Sequence, residues 1–330
     1  MKLNQNFKNI LFYLLKIGIT AGLLVFLYTK TEIQFQDVIL AIKKANPIYF
    51  SIAVILFAFN YFLGMFRWNI LLKAAGVIVP FSRVVVSYLM GLAVNLFIPS
   101  TLGGDLARSV DLSAYSSNSK AKLLATVMLD RISGYIAVVT VALVSLFLGY
   151  KYVDKPILIS FTIIILILLA IILVLFNRRI AKLVQVVFGR FGSVKSALVN
   201  FDESINLFLR EAKKRALIFT LLVALVIQII SVLIGYFIAE SLGFHIDIIY
   251  FFIILPIINA ISMIPLTMLG LGSRDISSVY FFGRVGYPAT YAETMSLIVF
   301  FLFVLTGVIG AVVYTLFAPI RKREQIESKK

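Results

Sequence analysis

Apolar runs of bilayer length recur from one end of the chain to the other. Ile10–Tyr28, Ile48–Leu72, Leu123–Gly149, Ile157–Phe176, Ala216–Ala239 and Ala292–Phe317 are each apolar over most of their length. A helix needs about 20 such residues to cross roughly 30 Å of hydrocarbon. The chain is 61% hydrophobic and only 14% charged, against about 25% charged in a soluble globule. The expectation is an all-α polytopic membrane protein, a single transmembrane domain over 1–330 with about six full spans. The N-terminus looks superficially like a signal sequence, but its run is as long as a span and no small-residue cleavage site follows, so it reads as the first transmembrane helix.

Two further apolar runs are broken. Phe81–Ile98 stops at Pro99–Gly104, and Asp105–Lys122 is then too polar to cross hydrocarbon. Ile248–Leu269 is interrupted by Pro256, Asn259 and Pro265, and the polar Gly270–Gly283 follows. Lysine and arginine mark the cytoplasmic side. The segment Asn177–Arg215 holds nine basic and three acidic residues, and the tail Arg321–Lys330 five and two, which places both, and the N-terminus, inside. Ile180, Leu183, Val184 and Val187 predict an amphipathic interfacial helix in this linker, about 177–215. Val38, Ile39 and Ile42 predict a shorter one between the first two spans. Counting crossings from these anchors, Phe81–Lys122 begins and ends inside, and Ile248–Tyr291 begins and ends outside. Each is then a re-entrant helical hairpin, and the two enter from opposite faces. Span, hairpin, span from Ile48 to Gly149 matches span, hairpin, span from Ala216 to Phe317, 102 residues each. Inverted repeats with broken helices at the midplane are a transporter architecture.

The remaining composition narrows the chemistry. The net charge of +16 belongs to basic loops facing anionic lipid, not to a nucleic-acid surface. There are no cysteines and one histidine, His245, so no metal site or cofactor is expected. Glu240, His245 and Asp247 read as a solvated loop. Ser109, Ser277 and Ser278 have no base partner for nucleophilic chemistry. Trp68 and the many other aromatics read as lipid-facing or interfacial belt.

The chemistry concentrates at the two breaks. Backbone outside a helix cannot face lipid, so the tips are buried or line a wet cavity. Gly103, Gly104, Gly270 and Gly272 allow tight turns and close approach of a ligand. A helix N-terminus follows each tip and favours anions. Arg108 and Arg274 add forked donors suited to phosphate. Asp105, Asp130, Arg131 and Asp275 are the other charges in apolar surroundings, where charge marks either function or mutual pairing.

These residues carry a resemblance. Arg67-Trp68, Asn95…Pro99…Gly103-Gly104-Asp105…Arg108, Asp130-Arg131…Gly134 and Pro265…Gly270…Gly272…Arg274-Asp275 are similar to the motifs of the lysylphosphatidylglycerol synthase transmembrane-region (flippase-like) family. That family includes the membrane half of bacterial multiple peptide resistance proteins. The second motif departs from the usual Pro-Gly-Gly and Arg-Glu, reading Pro265-Leu266-Thr267 and Arg274-Asp275. The synthases append a cytosolic aminoacyl transferase domain for which this chain has no room, so the resemblance implies lipid translocation and not lysyl transfer. The expected function is a plasma-membrane flippase or transporter of an anionic lipid, such as an aminoacyl-phospholipid or a polyprenyl-phosphate-linked lipid. The alternatives are an integral lipid-headgroup transferase, or the membrane subunit of one, and a lipid-binding scaffold. Beyond the lipid, the partners to consider are a second copy of the chain and a separate lipid-modifying enzyme.

Overall fold

The structure, a computed structural model, describes residues 35–97, 103–116, 120–149, 214–263 and 270–327, with isolated positions between 18 and 29, between 151 and 166, and at 267. Among these residues it is all-helical, without strands. The helices are α1 (Phe35–Lys43), α2 (Pro47–Ala74), α3 (Phe81–Phe97), α4 (Gly103–Ser113), α5 (Lys120–Gly149), α6 (Lys214–Ser241), α7 (Ile248–Met263), α8 (Ser273–Gly283) and α9 (Ala289–Glu327). Four stretches are long and apolar enough to cross a membrane: Pro47–Ala74, Lys122–Ser145, Arg215–Ser241 and Ala289–Phe317. The expected spans Ile10–Tyr28 and Ile157–Phe176 and the amphipathic linker Asn177–Arg215 lie outside the described residues but for a few positions.

Local chemistry sets the helix limits. Pro47 opens α2, where its missing N–H costs nothing, and Asn46 caps it by accepting from the Ile48 N–H at 2.9 Å. The Asn46 N–H in turn donates to the Ser241 carbonyl at 2.6 Å. The start of α2 therefore lies beside the end of α6. Tyr49 stacks on Phe237 and Phe66 meets Phe219 edge-on, so the two 28-residue helices run antiparallel along their length.

The short helices form two hairpins. Ser87 Oγ donates to Asp111 at 2.5 Å and the Gly104 N–H to Asn95 at 2.9 Å, which pairs α3 with α4 in antiparallel fashion. Phe251 packs on Phe282 at one end of the α7–α8 pair, and Gly270 sits against Ser262 at the other. Gly270 and Gly272 have φ of 77° and 85°, a region open to glycine and strained for other residues. Helix α7 runs through Pro256 without stopping, where the sequence suggested an interruption. Proline is tolerated inside membrane helices because neighbouring groups satisfy the freed carbonyl.

The order and lengths of the elements repeat. Helices α2 to α5 have 28, 17, 11 and 30 residues, and α6 to α9 have 28, 16, 11 and 39. The packing repeats with them: α3 lies on α9 as α7 lies on α5, and α4 on α5 as α8 on α9. Helix α1 differs from expectation in its buried face. Val38 is buried, whereas Ile39 and Ile42 are exposed.

The outer surface is apolar. Ile55, Phe59 and Phe62 on α2, Ile218, Leu222, Val226 and Ile229 on α6, and Phe301, Leu305, Val308 and Val312 on α9 are all exposed. Their three- and four-residue spacing makes continuous stripes, a surface suited to lipid rather than water. Inside, close helix contact depends on small residues. A Cβ on Gly91 would stand 2.7 Å from the Gly104 carbonyl oxygen. We expect Gly91→Leu to destabilise the protein by about 1–3 kcal/mol through overpacking, read as a lower unfolding temperature in detergent. Gly283→Ala, whose Cβ meets nothing within 4 Å, should leave it unchanged.

Candidate functional site

The first broken helix delivers its charges to a buried network. Asp130 on α5 binds two arginines, accepting from Arg67 Nε of α2 at 2.6 Å and from Arg108 Nη2 of α4 at 3.0 Å. Arg108 Nη2 also pairs with Asp105 at 3.0 Å, one turn earlier on α4, and Asp105 pairs again with Arg131. The Arg108 guanidinium lies 4.7 Å from the Trp68 ring centroid and 4.9 Å from that of Tyr88, so aromatic faces supply cation–π contact on top of the ion pairs. Trp68 is fully buried and donates from Nε1 to Thr126 Oγ1 at 3.1 Å. That corrects its reading as a lipid-facing or belt residue: the indole is an internal wall of the charge network.

The second broken helix is arranged differently. Asp275 accepts from the Gly272 N–H at 2.6 Å, closing the start of α8, and takes a second hydrogen bond from Ser296 Oγ of α9. Arg274 Nε donates to the same Ser296 at 3.0 Å, and its guanidinium stands 5.5 Å from the Phe303 ring centroid. Glu293, fully buried on α9, acts on Arg274 through space. The N-terminal amides of Gly104 and Gly272 are thus engaged by Asn95 and Asp275.

Between the two arrangements lies a cavity of about 500 Å³, a size typical of small-ligand sites. Its polar wall includes Asn60, Tyr61 and Arg67 from α2, Tyr88 and Asn95 from α3, Gln228 and Ser231 from α6, and Asn259 and Ser262 from α7. Arg274 and Ser278 of α8 and Ser296 of α9 complete it. The rest is apolar, with Phe57, Leu255, Ile258 and Phe303 among the lining residues. One arginine from each half, Arg67 and Arg274, reaches the same space.

Of the residues that the sequence motifs offered as ligand-binding, Arg67, Asn95 and Arg274 line this cavity. Asp105, Arg108, Asp130 and Arg131 form the adjoining network, with Gly103 and Gly104 at the start of α4. Gly270, Gly272 and Asp275 shape the turn into α8. Pro99 and Pro265 lie outside the described residues. The amides Asn60 and Gln228 went unnoticed in the sequence, although an amide in an apolar span is a detectable signal. Glu240, read as part of a solvated loop, is instead buried, and its carboxylate meets His245 Nδ1 at 2.6 Å.

The sequence profile described as "Lysylphosphatidylglycerol synthase TM region" matches residues 13–325. A UPF0104 membrane protein of Methanothermobacter thermautotrophicus is 26% identical over 278 residues, covering 78% of this chain and 82% of the relative. A UPF0104 membrane protein of Pyrococcus horikoshii is 26% identical over 308 residues, covering 87% and 91%. With the four helices of spanning length, these matches make the chain a multi-pass membrane protein.

The network generates a stability test. Asp130→Asn removes the charge shared by Arg67 and Arg108. Losing one partner of a buried ion pair costs about 3–5 kcal/mol, so the variant should unfold well below wild type in detergent. Removing Arg67 as well, in a double variant Arg67→Met with Asp130→Asn, should recover part of the loss because the two sites are coupled.

Proposed function

Because this chain belongs to the lysylphosphatidylglycerol synthase transmembrane-region family, we propose that it moves an anionic lipid between the leaflets of the cell membrane. The lipid headgroup passes through the cavity while the acyl chains stay in the bilayer. The observation that carries this reading is the convergence of Arg67 and Arg274, one from each half, on a single cavity walled by amides and hydroxyls. Permanent cations with forked donors suit a phosphate. Charge within a membrane helix bundle is costly enough that it usually marks a pathway or a partner. The exposed apolar stripes around the helices fit acyl chains alongside the same cavity.

In this reading the protein is one transmembrane domain of two inverted halves, about 48–149 and 216–317, joined through the cytoplasmic linker at about 177–215. The hairpins α3–α4 and α7–α8 are re-entrant, the first from the cytoplasm and the second from outside, and both termini are cytoplasmic. The antiparallel run of α2 and α6, the corresponding first helices of the halves, supports opposite orientation of the two units.

The orientation is open to direct measurement. The chain has no cysteine, so single cysteines report without background. An impermeant thiol reagent added to intact cells should label His245→Cys and Gly283→Cys, and should miss Lys73→Cys and Ala114→Cys until the cells are opened. Labelling of Ala114→Cys from outside would mean that the first hairpin crosses.

Translocation is tested with purified protein in proteoliposomes carrying a fluorescent phosphatidylglycerol, by quenching the outer leaflet. Losing a charged hydrogen bond of about 1.5–3 kcal/mol should slow the exchange by Arg274→Gln at least about tenfold, with unfolding temperature retained. Wild-type exchange by this variant would sink the proposal.

A further inference from the structure

The cavity carries more than positive charge. Gln228 is 6% exposed, and its Nε2 has no hydrogen-bond partner. Asn60 Oδ1 and Arg274 Nη2 are likewise buried and unbonded. All three side chains line the same cavity. Leaving such a group unbonded costs about 1–3 kcal/mol, so a site that holds open donors and an open acceptor is matched to a ligand supplying both. An ionised phosphate oxygen only accepts and an ammonium only donates, whereas a hydroxyl does both.

The charges point the same way. Arg67 and Arg274 line the wall, and among the described residues no carboxylate does. Asp130 and Asp275 are spent on partners of their own. A cationic headgroup entering here would meet two guanidinium groups and no lining acid.

Resting on the reading of this cavity as a headgroup site, we propose that it selects a phosphodiester lipid whose headgroup is neutral and polyhydroxylated: a glycerol, an inositol or a sugar. The phosphate is held by Arg67 and Arg274, and the headgroup hydroxyls bond to Gln228 and Asn60. An aminoacyl headgroup is discriminated against.

The test offers the purified full chain an equimolar mixture of phosphatidylglycerol, phosphatidic acid and lysyl-phosphatidylglycerol, and reads retained lipid by native mass spectrometry. Phosphatidylglycerol should be retained about tenfold over each of the others, the effect of one or two hydrogen bonds to a headgroup hydroxyl. Gln228→Leu should level phosphatidylglycerol with phosphatidic acid while the latter still binds. Gln228→Glu should raise retention of the lysyl lipid, a gain that misfolding cannot imitate. Equimolar glycerol 3-phosphate should not displace the lipid, and displacement would assign the site to a soluble ester instead. Retention of none of the three lipids, equal retention of all, or preference for the lysyl form overturns the proposal. The ratios are read without transport. Correct ratios in a protein that moves no lipid would therefore sink translocation and leave the headgroup assignment standing, and equal movement of all three with equal retention would do the reverse.

Discussion

A single carboxylate joins three helices. Asp130 stands on α5, and each of its oxygens takes an arginine from another element, Arg67 of α2 and Arg108 of α4. Any of these charges alone in a low-dielectric interior would be expensive. Together, with Asp105 and Arg131 completing the chain of pairs and the Trp68 and Tyr88 rings flanking Arg108, they are compensated only in one arrangement. The network therefore fixes the register of the α3–α4 hairpin against the long helices. It also holds Arg67 by its Nε, in the geometry in which it borders the cavity.

The second half solves the same packing problem with less charge compensation at the arginine itself. Where the first half answers its arginines with hydrogen-bonded carboxylates from α5 and α4, the corresponding helix α9 gives Arg274 a hydrogen bond to a hydroxyl, Ser296, which in turn serves Asp275, while Glu293 acts on it only through space. One Arg274 nitrogen remains buried without a partner. A hydroxyl attracts a guanidinium less strongly than a carboxylate does. Arg274 is thus the more available of the two cavity cations, and the two-sided site is unequal: Arg67 is set in place by structure and Arg274 is left open to a ligand.

The spanning helices and the Arg–Asp motifs were legible in the sequence because charge inside apolar runs is rare and stands out. The two pairs of short helices were legible because each apolar run stops at a proline- and glycine-containing break and a polar segment follows. What escaped has equally physical reasons. Asn60 and Gln228 are single uncharged amides that scarcely alter the hydropathy of their spans, and only the antiparallel pairing of α2 with α6 brings both to one wall. Trp68 near the end of a span has the pattern of an interfacial aromatic. Its partner Thr126 lies 58 residues away, beyond any local periodicity. Pro256 has the pattern of a break, yet α7 continues past it, since tertiary packing outweighs propensity in a buried helix.

The hairpins also explain why a cavity exists at all. Four long apolar helices alone would close on one another as a solid core. The short pairs α3–α4 and α7–α8, packed against them, leave volume between the halves and bring helix ends toward it. Helix ends carry unsatisfied amides and carbonyls, which would ordinarily dictate what such a space could hold. Here Asn95 takes the Gly104 amide and Asp275 takes the Gly272 amide, so one amide at each of these two N-termini is already answered from within. Side chains on the walls add polarity of their own. Exchanging one of those, such as Gln228, alters what the cavity accepts without touching the Asp130 network that holds the helices together.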